Sequence, residues 1–274
     1  VHPVGMRVGG FYRVPTRDQL RALLPALEVA LEDSKETVRW TSTLQLPDFE
    51  RDPLMLSLSD AELYALDTGR LVTTEGIDVD PGDWDDAFSE QHVEHSTALQ
   101  ATSLDGKHHL LGPSSRVVLS GQGLHPLAKE ALESSGGQEI IRRNMFAAIN
   151  ARGIEMIHAA AEAIAIIEAY EPPTDPFVSW EPRAGKASWA TEAPRGVLFH
   201  RYDVDDAGRV VKARIVPPTA QNQAFMEDDM RGYAGSVLDL PEPEAAAKLE
   251  ALIRCYDPCI SCATHFLRLE VERI

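Results

Sequence analysis

The sequence predicts a mainly α fold with small β elements, an α+β arrangement built on long buried helices. Three observations predict it: leucines at helical spacing behind a capping signal near the start, an apolar helical run of about thirty residues that ends at paired prolines, and one clear hairpin pattern in the last third.

Thr16 followed by Gln19 reads as a capping box, and Leu20, Leu23, Leu24, Leu27 and Leu31 recur behind it at helical spacing. Pro25 falls inside that pattern. It lacks the N–H that closes a helical turn, so a kink or split is expected there. The stretch "LMLSLSDAELYALDTGRLVTTEG" alternates only weakly, with residues 67–69 as a turn between short strands. Residues 76–126 are rich in Gly, Pro, His, Ser and Asp and read as loops with short elements. Over residues 139–170, Phe146, Ile149, Gly153, Met156, Ile157, Ala160, Ile164 and Ile167 line one face before Pro172 and Pro173, which predicts a long, mostly buried helix. After a Pro-rich connection, "GVLFHRYDV", the turn "DDAGR" and "VVKARIV" predict a β-hairpin. A last helix is expected over residues 243–256, with Leu249, Leu252, Ile253 and Tyr256 on its apolar side. No internal repeat, low-complexity tract or clear interdomain linker interrupts the pattern.

Composition excludes several classes. With 44% apolar and 25% charged residues the balance is that of a soluble globular protein. Lys and Arg number 26 against 43 acids, a formal charge of −17, so neither nucleic acid nor an anionic membrane surface is an expected partner. The most apolar stretch, "AAAEAIAIIEAY", is broken by Glu162 and Glu168 and is too short to span a bilayer, and no export signal opens the chain. The histidines of "HVEH" (His92 and His95) lack the order of a zinc peptidase helix, and His108 and His109 sit in a loop pattern, so all four are expected to be solvated.

The three cysteines, Cys255, Cys259 and Cys262, lie within eight residues. They are too few for a disulfide framework and point to metal or redox chemistry in a reducing compartment. In "DPCISCATH", Asp257 suits an N-cap and Pro258 the first helical position, and the positive end of a helix dipole favours thiolates at Cys259 and Cys262, with His265 leaning to the same side. Three readings stand open on spacing alone. The cysteines can act as small buried hydrophobes with His265 as a capping group. The four residues Cys255, Cys259, Cys262 and His265 can hold a structural zinc, although such sites usually join two separated ligand pairs. Or Cys255, Cys259 and Cys262 have radical-SAM cluster spacing, although the twelve residues after Cys262 cannot build the barrel that motif opens.

Extended to Asp257 and Pro258, the stretch resembles the C-terminal metal motif of nickel-iron hydrogenase large subunits, DPCxxCxxH. "HPVGMRVGGFYR", "RNMFAAINARGIEMIHAA", "EAPRGVLFHRYDVDDAGRV" and "VPPTAQNQAFMEDDM" are similar to further landmarks of that family, in family order and in wording most similar to its cytoplasmic, NAD(P)-linked and sulfhydrogenase branch. The likeness runs over nearly the whole chain and implies a hydrogenase large-subunit-like fold.

Carried over residue by residue, the resemblance implies that Cys259 is a nickel ligand and Cys262 a thiolate bridging nickel and iron, with CO and cyanide on the iron. His265 and the backbone carbonyl of Ile215 would serve a nearby magnesium. Arg195 would lie over the metals, held by Asp257 through a charge-assisted bond, while Pro194 and Thr219 would line the diatomic ligands. Heterolysis of H2 needs a hydride acceptor and a base within reach, which soft thiolate-bound metals and either a terminal thiolate or the Arg195 guanidine provide. Implied partners are an Fe–S small subunit, diaphorase-type NAD(P)-binding subunits and a maturation endopeptidase that cuts after His265, removing the nine residues from Phe266 to Ile274. "SGQGLHP" is neither a dinucleotide fingerprint nor a phosphate loop, so nicotinamide chemistry is expected on another subunit, as are Fe–S clusters, for which this chain lacks cysteines.

The sequence departs from the family pattern at one point. No cysteine precedes Cys255, so the family's N-terminal CxxC pair is absent, and the magnesium and proton-relay glutamates are expected in the same missing segment. With Val1 first, residues 1–274 are expected to be the C-terminal portion of a single large-subunit domain, inactive alone. The alternative is a truncated, non-catalytic fragment or a complex-I-like structural relative, the latter disfavoured because Cys259 and Cys262 are present.

Overall fold

Prolines and local caps decide where the helices begin. The structure, a computed structural model, describes residues 5–259. A small ribbon of β1 (Met6–Arg7) and β2 (Gly10–Phe11) comes first. Thr16 and Gln19 then close the expected capping box of α1 (Arg17–Arg21). Pro25 splits the leucine pattern by standing in the first turn of α2 (Leu24–Thr41), where its missing N–H costs nothing.

β3 (Leu54–Ser59) pairs antiparallel with β4 (Arg70–Thr73) and parallel with β8 (His109–Leu110), and β5 (Asp78–Val79) extends the sheet beyond β4. Leu54 to Leu58 are all buried. A strand covered on both faces has no reason to alternate, which accounts for the weak pattern in its sequence. β6 (Phe88–Gln91) and β7 (Gln100–Ser103) form a separate antiparallel ribbon. The stretch expected to be loops also contains α3 (Pro113–Ser120), a helix that the sequence did not announce. Its buried residues are Ser114, Ser115, Arg116, Val117 and Ser120, so it has almost no apolar period.

α4 (Pro126–Ser134) and α5 (Gly137–Arg143) lead to α6 (Ala148–Ala169). The single helix expected over residues 139–170 is divided at Asn144, whose backbone is extended (φ −123, ψ 112). The Asn144 side-chain oxygen accepts from the Phe146 N–H at 2.9 Å and its amide donates to the Pro47 carbonyl at 2.8 Å, so a local cap competes with continuing the helix. Most of the expected face is buried, with Phe146, Gly153, Ile157, Ala160 and Ile167 inside, but Ile149 and Met156 are 38% and 52% exposed while Ile154 and Ala161 are buried beside it. α6 packs against α2 on one side and against α3 and α4 on others, and burial follows those neighbours. A Cβ at Gly153 would sit 2.6 Å from Val38 Cγ2, so this glycine sets how closely α2 can approach.

The expected hairpin is β10 (Gly196–Val204) and β11 (Val210–Val216), and β9 (Gly185–Ala193), in the stretch read as a Pro-rich connection, adds a third strand along β10. α7 (Pro218–Ala234) follows, and α8 (Glu242–Cys255) matches the expected last helix, with Leu249, Leu252 and Tyr256 buried. At 44% helix and 21% strand the fold is mainly α with small β elements, as predicted. Separate apolar clusters fill the space beneath the sheets, the α2–α6 bundle and the α7–α8 pair. No helix among the described residues is long and apolar enough to cross a membrane.

Candidate metal-facing site

Three segments distant in sequence meet at one end of α7. The first is the turn between β9 and β10. Ala193 pairs with Gly196, so Pro194 and Arg195 form a two-residue loop. Pro194 fixes a negative φ at the first loop position and so excludes the primed turns that suit a hairpin's twist. The chain recovers its direction at Gly196, where φ is +128 and an added Cβ would lie 2.5 Å from Leu111 Cβ.

The second segment is the start of α7, where Thr219 is 3% exposed. Its hydroxyl accepts the backbone N–H of Cys259 at 3.3 Å. The third is the chain leaving α8, residues 257–259. Arg195 and Asp257 form an ion pair, with Nε to Oδ2 at 3.3 Å and Nη2 donating to Oδ1 at 3.4 Å, and Nε also donates to the Asp257 backbone carbonyl. Asp257 does not take the extended backbone of an N-cap, for its φ is +49, a left-handed value that no other non-glycine residue among those described adopts. That turn carries the chain from α8 back beneath Arg195.

Pro194, Arg195, Thr219, Asp257 and Cys259 are therefore neighbours in pairs: Arg195 with Asp257, Cys259 with Thr219. Ile215, on β11 opposite His200, is half exposed and stands three residues before α7. Cys262 and His265 lie outside the described residues. Cys255 sits at the end of α8, where burial pushes its thiol up to about 11 and Sγ donates to the Ala251 carbonyl at 3.2 Å. It is protonated at neutral pH.

Behind the turn lies a buried charge cluster that the sequence reading missed. Arg116 of α3 is 3% exposed and meets Glu155 of α6 and Glu192 of β9. Burial alone would lower the basicity of Arg116, but the two carboxylates raise it further, so the charge is kept. Burial pushes the Glu192 carboxyl up, against the pull of Arg116. Tyr64 donates to Glu155 at 2.6 Å. A cavity of about 510 Å³, walled by Arg116, Arg152, Glu155, His158, Pro194 and Asp257, joins this cluster to the Arg195 turn. His158 accepts the His125 backbone N–H on Nδ1 at 3.0 Å, and burial lowers its pKa.

Of the four histidines expected to be solvated, His92 and His95 are exposed, His108 is half-buried, and His109 departs from the expectation. His109 is fully buried on β8 beside Phe88, and burial pushes it down to about 4, which keeps the ring neutral. His108 pairs with Asp228 at 2.5 Å and His95 with Glu227 at 3.1 Å. The loop reading failed because β8 is only two residues long and cannot show a period.

The fold is that of hydrogenase large subunits. The structure matches an NAD+-reducing [NiFe]-hydrogenase in the H2-reduced state with TM-score 0.77 over 94% of this chain and 62% of that one, and the Ni-Fe-Se hydrogenase from Desulfomicrobium baculatum with TM-score 0.72 over 95% and 63%. At 22% and 19% identity these likenesses concern the fold. Residues 101–265 match the model of the nickel-dependent hydrogenase family. The chain belongs to that family. It is 30% identical to sulfhydrogenase 1 subunit alpha of Pyrococcus furiosus over 98% of this chain, and 36% identical to the NAD-reducing hydrogenase HoxS subunit beta of Cupriavidus necator over 57% of this chain and 34% of that subunit. It spans 63% of the length of the Pyrococcus subunit.

Proposed function

We propose that this chain forms the Arg195 and Cys259 wall of a nickel-iron site in a large subunit that splits or forms H2. The observation that carries the reading is the Arg195–Asp257 pair set two residues before Cys259, whose backbone is tied to Thr219. A cysteine thiolate is a soft donor that suits nickel. Among the described residues no three ligating side chains converge, so Cys259 fits as one ligand of a larger set, to which Cys262, bridging to iron, and thiolates from outside these 274 residues would contribute. His265 and the Ile215 carbonyl would hold magnesium, and Pro194 and Thr219 would line CO and cyanide on the iron.

When bound, the metal pair supplies the electron-accepting partner for heterolysis of H2. Asp257 holds the guanidinium of Arg195 by its side chain and its carbonyl, which limits where the remaining N–H groups can point. From there Arg195 would donate to an anionic ligand of the metals, and the base for the proton that heterolysis releases would be either its guanidine or a terminal thiolate. Electrons would pass to an Fe–S small subunit and on to diaphorase-type NAD(P)-binding subunits. The whole would work in the cytoplasm, after an endopeptidase cuts behind His265, the residue at which the family match also stops.

Arg195→Lys in the full-length enzyme tests this. An ammonium lacks the planar fork and is a different base, so metals should stay while H2 oxidation falls by about a hundredfold or more. Unchanged turnover would remove Arg195 from the mechanism.

A further inference from the structure

We infer that Arg116 is the positioning residue for Arg195, an inference that rests on the reading of Arg195 as a group facing the metals. A guanidinium has five N–H donors in one plane. All of those on Arg116 are used: Nε and Nη2 bind the two oxygens of Glu155 at 2.6 and 2.8 Å, Nη1 binds Glu192 Oε2 and the Ala193 carbonyl, both at 2.9 Å, and Nη2 also donates to the Pro194 carbonyl at 3.0 Å. The next carbonyl, that of Arg195, accepts from Asn222 at 3.4 Å, and the Asn222 oxygen is itself fixed by the Leu111 N–H at 2.7 Å. Consecutive carbonyls through the turn are thus held by side chains from α3 and α7.

The clamp is anchored in turn. Glu192 also accepts the Leu58 N–H of β3 at 2.8 Å, and Glu155 accepts from Tyr64. A hairpin turn does not need this. Buried ion pairs add little net stability over apolar residues of the same shape, but they fix orientation. Here the fixed object is a turn whose proline forbids the geometry that strands favour, and whose next residue is Arg195. Arg116 holds the backbone on one side of Arg195 and Asp257 holds its side chain on the other, so both ends of the residue are restrained.

The test compares wild type with Arg116→Lys in the full-length holoenzyme. Lysine keeps the charge but offers three donors without the fork. Hydrogen exchange of the Ala193, Arg195 and Gly196 amides should rise by about tenfold or more while α6 exchanges as before. A turn as protected as in wild type overturns the inference. If Arg116→Lys fails to fold, Glu155→Gln leaves the guanidinium in place and breaks one arm of its support. It should loosen the same turn by a smaller factor, and an unaltered turn there is equally fatal. H2 oxidation should fall about tenfold in Arg116→Lys, and the double variant with Arg195→Lys should be no worse than Arg195→Lys alone, because one residue acts through the other. Additive losses would make Arg116 merely structural. Unchanged turnover in Arg195→Lys alone would instead remove the underlying reading, in a variant that leaves the clamp intact.

Discussion

Cys255 and Cys259 stand four residues apart and are chemically unlike. Cys255 ends a helix, is half-buried with its thiol on the Ala251 carbonyl and keeps its proton up to about pH 11, whereas Cys259 follows the Asp257 turn with its backbone held by Thr219. In the full-length enzyme Cys259→Ser should remove nickel, iron and activity, and Cys255→Ser should leave all three. Metal analysis of the two purified variants decides it, and loss of metal in Cys255→Ser would restore the three-cysteine reading. The Cys255 shift also has a sign. Its folded value lies above the ordinary 9.0, so the folded state holds the proton more tightly. That contribution is complete below pH 9 and disappears as pH rises toward 11, and denaturation midpoints across this window should fall in wild type more than in Cys255→Ser. Asp257 and Cys259 were singled out by a motif with fixed spacing and Arg195 by likeness to a known family, and the structure brings Arg195 and Asp257 together. Arg116, Glu155 and Glu192 were not, because their partners lie 39 and 76 residues apart and no local pattern marks a charge whose neighbour comes from another element.

At the scale of elements, legibility followed local signals. The capping box, Pro25 and the β10–β11 hairpin carry their own chemistry and came out where expected. α3 and β9 did not, since the buried side of α3 is mostly hydroxyls and one guanidinium, and β9 is mostly exposed or half-buried. The α6 face was read in large part, with Ile149 and Met156 wrongly included, as a helix covered from several directions has no single stripe to read. Gly153 was placed on that face and its role is the approach of α2. Gly153→Val would drive a branched side chain against Val38, whose Cγ2 is already 2.6 Å from the position of an added Cβ. The helices must part, at a cost of about 1–3 kcal/mol. Chemical denaturation should show that loss, and an unchanged midpoint would mean that α2 is free to shift.

For the molecule as a whole, the apolar core and the candidate ligands fall on different residues. The three apolar clusters are built from the described residues and include no side chain of Cys259. A core of that extent predicts folding without a metal, in contrast to small domains whose folding energy is metal binding. The ligand set is another matter. All three cysteines lie between residues 255 and 262, and Cys255 holds its proton, which leaves Cys259 and Cys262 as thiolate donors. Two thiolates are too few donors to complete the coordination of a nickel and iron pair. The purified 274-residue chain should accordingly fold and yet hold nickel and iron at no more than about a tenth of an atom each per chain, as X-ray fluorescence would read directly. Nickel and iron at one each per chain would overturn this, and would mean that ligands other than cysteine complete the site.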